Sequence, residues 1–131
     1  MIGVDTNVLV RYLTVDAPAQ VRRVDAVIER AVADGTRLHV DDVVLCEVVR
    51  VLRAGYRFGK DAIAHAVGQI LSTAIFSFPD RELLNSALDA YRDGPGDFAD
   101  YVIGFRNRRA GCAHTVTLDR ALRDQPAFIQ L

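Results

Sequence analysis

The sequence has little that would carry a chain out of the cell or into a bilayer. It contains no apolar run long enough to span a membrane, so a membrane protein is not expected. The N-terminus shows no basic segment followed by an apolar stretch and a small-residue cleavage site, which leaves export unsupported. Cysteine is scarce: Cys46 and Cys112 form no close metal-binding pair and read as reduced core thiols of a cytoplasmic protein. Histidine is sparse as well. His39, His65 and His114 are separated and lack an evident triad pattern. Lysine is almost missing, with Lys60 the single one among 16 basic residues.

That last scarcity makes arginine the cation of this chain. Its planar fork suits phosphate, and it recurs at Arg50, Arg53 and Arg57 and again at Arg106, Arg108 and Arg109. Each group taken alone reads better as a solvated helix face. At 131 residues, 50% hydrophobic and 25% charged, the chain fits one globular domain with its own core.

Repeats, low-complexity tracts and linkers are absent, and turn signals separate alternating strand and helix patterns. Ile2 to Val4 reads as a buried strand, followed by a helix from Asp5 or Thr6 to Leu13. Residues 17 to 34 have apolar positions at helical spacing, and Gly35 stands where a helix should stop. Strands are expected over 37–40, 75–78, 114–118 and 128–130, and helices over 42–54, 61–72, 80–91 and 97–109, with a short one over 119–123. "DGPG" at 93–96 is a loop signal. The alternation predicts an α/β fold: three layers, with a mainly parallel central sheet of four or five strands and helices on both faces. Ligands of such folds lie beyond the carboxyl ends of the strands.

Asp5 and Asp119 follow the first and fourth expected strands, and a parallel sheet would bring both to the same edge. Glu47 falls among Val43, Val44, Val48 and Val51. A carboxylate on or beside such a stripe needs a salt bridge to a nearby Arg, a hydrogen bond or a metal. Asp97, after Gly96, reads mainly as a helix cap. Asp100 sits in the first helical turn, where the helix N-terminus alone would favour it, and Gly104 one turn ahead would leave room for a metal or phosphate. Four acids at one sheet edge would repel each other unless a cation held them, and an all-oxygen set favours Mg²⁺ or Mn²⁺ over Zn²⁺. With those four set aside, the 16 basic residues exceed the other acidic ones, so a near-neutral total hides an acidic centre in a basic surface.

The segments "VDTNVLVRYL", "CEVVRVL", "DFADYVIGF" and "TVTLD", in this order and spacing, resemble the PIN-domain ribonucleases, and among them the short VapC-type toxins of bacterial toxin–antitoxin pairs. The resemblance covers nearly the whole chain. It implies a single PIN-like domain over 1–131 and a metal-binding quartet of Asp5, Glu47, Asp100 and Asp119, with Asn7 organising the pocket. Asp97 and Thr117 match polar positions near the third and fourth acids. It also implies hydrolysis of RNA by activated water to a 5′ phosphate and a 3′ hydroxyl, a homodimer and a neutralising antitoxin. Two positions depart from the pattern: Leu118, where an aromatic often stands, and Gly104, where Ala is more familiar. Arg11, Arg50 and Arg106 are candidates to track RNA phosphates. A Mg²⁺-dependent phosphatase is the alternative enzyme, although "DTN" lacks the second acid expected two positions after Asp5. A non-catalytic RNA-binding regulatory domain is the alternative of another class.

Overall fold

A computed structural model describes all 131 residues and divides them into two compact units, Met1–Arg81 and Glu82–Leu131. In the first, β1 (Ile2–Gly3) leads into α1 (Thr6–Leu13) and α2 (Pro18–Asp34). β2 (Leu38–His39), α3 (Asp42–Ala54), α4 (Lys60–Ser72) and β3 (Phe76–Ser77) follow. The strands pair in parallel in the order β1-β2-β3, with Ile2 opposite Leu38 and Leu38 opposite Phe76. Bonds from Ile2 N to Arg37 O and from Val4 N to His39 O, each 3.0 Å, lock the first register.

Local chemistry accounts for the helix ends. Pro18 opens α2, where its missing N–H has no intrahelical acceptor to lose. Gly35 closes it at φ 65°, in the left-handed region that glycine enters without a Cβ penalty, and its N–H reaches Ala31 O and Val32 O. Asp41 caps α3 through Val43 N at 3.0 Å. Leu45, Val48, Val49 and Leu52 of α3 and Ile63, Val67 and Ile70 of α4 are buried, together with the central strand residue Leu38. Burial of side chains of this size stabilises by about 1.5–3 kcal/mol each before conformational entropy is set against it.

β1 differs from the expected buried strand. It has one hydrogen-bonded neighbour, β2, and Ile2 is 52% exposed at this edge. Leu9 and Val10 of α1 supply the buried anchor that Ile2 does not.

The second unit contains α5, which begins at the junction (Arg81–Asp93), then α6 (Phe98–Arg109), β4 (Thr115–Thr117), a 3₁₀ turn (Arg120–Leu122) and β5 (Phe128–Gln130). β4 and β5 pair in parallel with Val116 opposite Ile129. All pairings in the chain are therefore parallel, as an α/β reading requires. The first unit holds a three-stranded ladder and the second a two-stranded one. Each strand is only two or three residues long, so few backbone bonds close each ladder.

The DGPG loop is shaped by Tyr101. Its hydroxyl accepts from Gly96 N at 3.1 Å and donates to Gln125 Oε1 at 2.7 Å, and its side chain is fully buried. A Cβ on Gly94 would lie 2.1 Å from that hydroxyl, and one on Gly96 would lie 2.7 Å from Leu122. These close approaches, more than turn conformation, favour glycine at both places. Burial holds the Tyr101 phenol above its ordinary pKa, against the opposing effect of the Gly96 bond.

Candidate active site

Asp5 stands between β1 and α1 and caps the helix, with Oδ1 3.4 Å from Val8 N. That is a long bond, and it leaves Oδ2 outside the cap. Asn7 follows in the first turn, exposed to solvent. Asp5, Asn7 and Arg11 border one open groove of about 670 Å³, whose other walls include Val4, Gln20 and Arg23.

Arg11 is not a loose surface cation. Its Nε donates to Gln20 Oε1 at 2.5 Å and its Nη1 to the Tyr56 hydroxyl at 2.8 Å, with Asp16 Oδ1 3.5 Å away. Glu47 lies outside that groove and beside the buried stripe of α3, its side chain 42% exposed. Both its oxygens face Arg50, Oε1 at 3.3 Å from Nε and Oε2 at 2.5 Å from Nη2. The hydrogen bond from Arg50 holds the Glu47 carboxyl below its ordinary pKa and raises that of Arg50 in return. Of the two expectations for Glu47, the ion pair is the arrangement present, and it engages the guanidinium that was a candidate RNA contact.

In the second unit, Asp97 and Asp100 form a capping box at the start of α6. Asp97 Oδ1 accepts from Phe98 N at 2.8 Å, and Asp97 N donates back to Asp100 Oδ2 at 2.9 Å. The cap expected of Asp97 is thus present, and Asp100 completes it. Gly104 plays a different part from the one expected. A Cβ there would be 2.7 Å from the Phe128 ring, so its missing side chain admits an aromatic from β5 and not a metal or phosphate. Asp119 follows β4 as Asp5 follows β1. Its Oδ1 accepts from Ala121 N at 2.9 Å while its own N–H donates to Thr117 Oγ1 at 3.0 Å. Thr117 therefore steadies the backbone of Asp119. Arg106 is an exposed residue in the last turn of α6, beside Arg108 and Arg109.

The structure brings Asp5 together with Asn7 and Arg11, Glu47 with Arg50, Asp97 with Asp100, and Thr117 with Asp119. It holds no group of three or more Asp, Glu, His or Cys side chains within joint reach of one metal ion. In the first unit Asp5 commits one oxygen to Val8 N, and in the second Asp119 commits one to Ala121 N; carboxylate oxygen is the donor type that a hard cation such as Mg²⁺ takes.

The PIN domain family model matches residues 2–127. The chain belongs to the PIN domain family. This PIN chain is also similar to a VapC ribonuclease of Aquifex aeolicus (strain VF5), 24% identical over 119 residues that cover 91% of this chain and 87% of that protein. No helix of the PIN chain is long and apolar enough to cross a membrane.

Sequence reasoning missed Asp16, Gln20 and Tyr56, which fix Arg11. Asp16 and Tyr56 are 40 positions apart and share no periodic pattern. The one available signal was a Tyr beside Gly55, at the end of an apolar helix, whose hydroxyl would need a partner.

Proposed function

We propose that this PIN chain is a metal-dependent endoribonuclease, the toxin of a VapC-type toxin–antitoxin pair. The observation that carries this reading is the family match over residues 2–127, which takes in every one of the four candidate acids. Asp5, Glu47, Asp100 and Asp119 would hold Mg²⁺ or Mn²⁺, which when bound lowers the pKa of water and neutralises charge building on phosphoryl oxygen.

The chain's own residues then divide the remaining work. Asp5 and Asp119 combine two tasks: one oxygen of each caps the following helix, and the other belongs to the site. Glu47 serves as an anionic ligand or orienter of water more readily than as a general base. A carboxyl held below its usual pKa has little tendency to take a proton at neutral pH. Asn7 presents an amide next to Asp5, and Thr117 fixes the backbone that carries Asp119. Water attacks phosphorus in line, the bond to the 3′ oxygen breaks, and the products are a 5′ phosphate and a 3′ hydroxyl.

Arg11, Arg50 and Arg106 would meet RNA phosphates. A single PIN-like domain over 1–131, a cytoplasmic location, a homodimer and a small antitoxin covering the groove complete the reading. The test is cleavage of RNA by the purified chain with Mn²⁺ and with EDTA, followed by ligation that captures only 5′-phosphorylated ends. Ligatable products that vanish with EDTA support the proposal. Cleavage that persists in EDTA, or that leaves 5′ hydroxyl ends, refutes it.

A further inference from the structure

Arg11 is held by residues from three separate stretches of chain. Gln20 of α2 takes its Nε, and Tyr56, in the turn after α3, takes its Nη1. Asp16, between α1 and α2, accepts from the Tyr56 hydroxyl through Oδ2 at 2.8 Å and from Thr14 Oγ1 through Oδ1 at 2.9 Å. The direction of the Tyr56 bonds is determined, whereas the one Thr14 hydroxyl proton is shared between Asp16 Oδ1 and Val10 O, the latter at 2.8 Å. Asp16 is kept ionised below its ordinary pKa, first by the Tyr56 hydrogen bond and then by that of Thr14. An ionised carboxylate can only accept, so Tyr56 gives its single proton to Asp16 and turns a lone pair toward Arg11. The guanidinium is therefore gripped at Nε and Nη1, which leaves Nη2 outside both bonds.

The turn that carries Tyr56 is itself strained. Arg57 adopts φ 57°, a left-handed conformation that a bulky side chain enters at a cost. Such a residue persists where its surroundings over-determine the backbone. Here Tyr56 N and Phe58 N are tied back to Val51 O and Leu52 O, and the two rings pack edge to face at 6.0 Å.

We propose that Tyr56, acting with Asp16, is a positioning residue that aims Arg11 at an RNA phosphate in the groove it shares with Asp5 and Asn7. The proposal rests on the ribonuclease reading. A guanidinium already held at Nε and Nη1 loses less freedom when Nη2 meets phosphate, so the clasp strengthens substrate binding without touching the reacting atoms.

The test is steady-state cleavage of a single-stranded RNA oligonucleotide with Mn²⁺ across a salt series, for the wild type, Tyr56→Phe, Arg11→Gln and the double variant, with melting temperatures recorded alongside. Phenylalanine keeps the ring packing and removes the hydroxyl. Tyr56→Phe should raise KM several-fold with kcat retained, and should flatten the dependence of log KM on log salt by about 0.7, the loss of one phosphate contact on a single strand. Arg11→Gln should flatten it equally, and the double variant should be no worse than Arg11→Gln alone. A lower melting temperature with KM and salt slope unchanged would show a purely structural clasp and overturn the proposal. Additive effects in the double variant would also overturn it. A wild type that cleaves no RNA would refute the ribonuclease reading beneath it, an outcome distinct from an active wild type indifferent to Tyr56.

Discussion

The Phe128 ring occupies the space that a side chain on Gly104 would need, with Cε2 2.7 Å and Cζ 2.8 Å from the position of a Cβ. Phe128 is buried, and Ala127 closes the same space at 3.4 Å. The glycine thus belongs to the packing of α6 against β5. Gly104→Ala should destabilise the chain by about 1–3 kcal/mol, the usual range for overpacking a full core. Urea denaturation measures this. A Gly104→Ala variant of unchanged stability but altered metal affinity would return Gly104 to the site.

Tyr101 makes a second stability claim in the same unit. Tyr101→Phe leaves the buried Gly96 N–H without its acceptor, which should cost about 1–3 kcal/mol. Gly96→Ala should destabilise as well, through the 2.7 Å approach to Leu122. Amide hydrogen exchange gives a local reading: the Gly96 N–H should be protected in the wild type and lose protection in Tyr101→Phe. Equal protection in both would contradict the bond.

The Asp16 clasp has a pH signature. Its carboxyl has a folded pKa below the unfolded one, so its contribution to stability is fully present above the unfolded value and is lost as pH falls through the folded value. Asp16→Asn should therefore be less stable than wild type at neutral pH, with the gap closing as pH drops below the usual carboxylate range. Denaturation midpoints at neutral and acidic pH check this. A gap that widens on acidification has the wrong sign for the account.

Arg50 sets the ionisation of Glu47. In Arg50→Gln the hydrogen-bonded cation is gone and the Glu47 carboxyl should titrate higher, measured by NMR of the side-chain carboxyl carbon. An unmoved titration would mean that the ion pair is not populated in solution.

The element order was legible because its signals are local. Pro18 and Gly35 bracket α2, Asp97 announces α6, and the short apolar runs around Leu38 and Phe76 mark strands. The candidate acids were legible for the same reason, since Asp5 and Asp119 each fall between a strand and a helical pattern. What could not be read depended on contacts distant in sequence. Nothing near Gly104 names Phe128, nothing near Arg11 names Tyr56, and the exposure of Ile2 follows from strand pairing and not from its own apolar character. Glu47 was ambiguous because a carboxylate beside a buried stripe is satisfied equally by an arginine or a metal ion, and the sequence alone does not choose between them.

The central claim is that the carboxylates of Asp5 and Asp119 serve a cation as well as a helix. Asparagine separates those tasks, because it caps a helix about as well as aspartate does and carries no charge. The most direct measurement is the initial rate of Mn²⁺-dependent RNA cleavage by wild type, Asp5→Asn and Asp119→Asn, with melting temperatures taken in EDTA. The expected result is near-complete loss of cleavage in both variants with melting temperatures close to wild type. Cleavage at the wild-type rate in either folded variant would contradict the account.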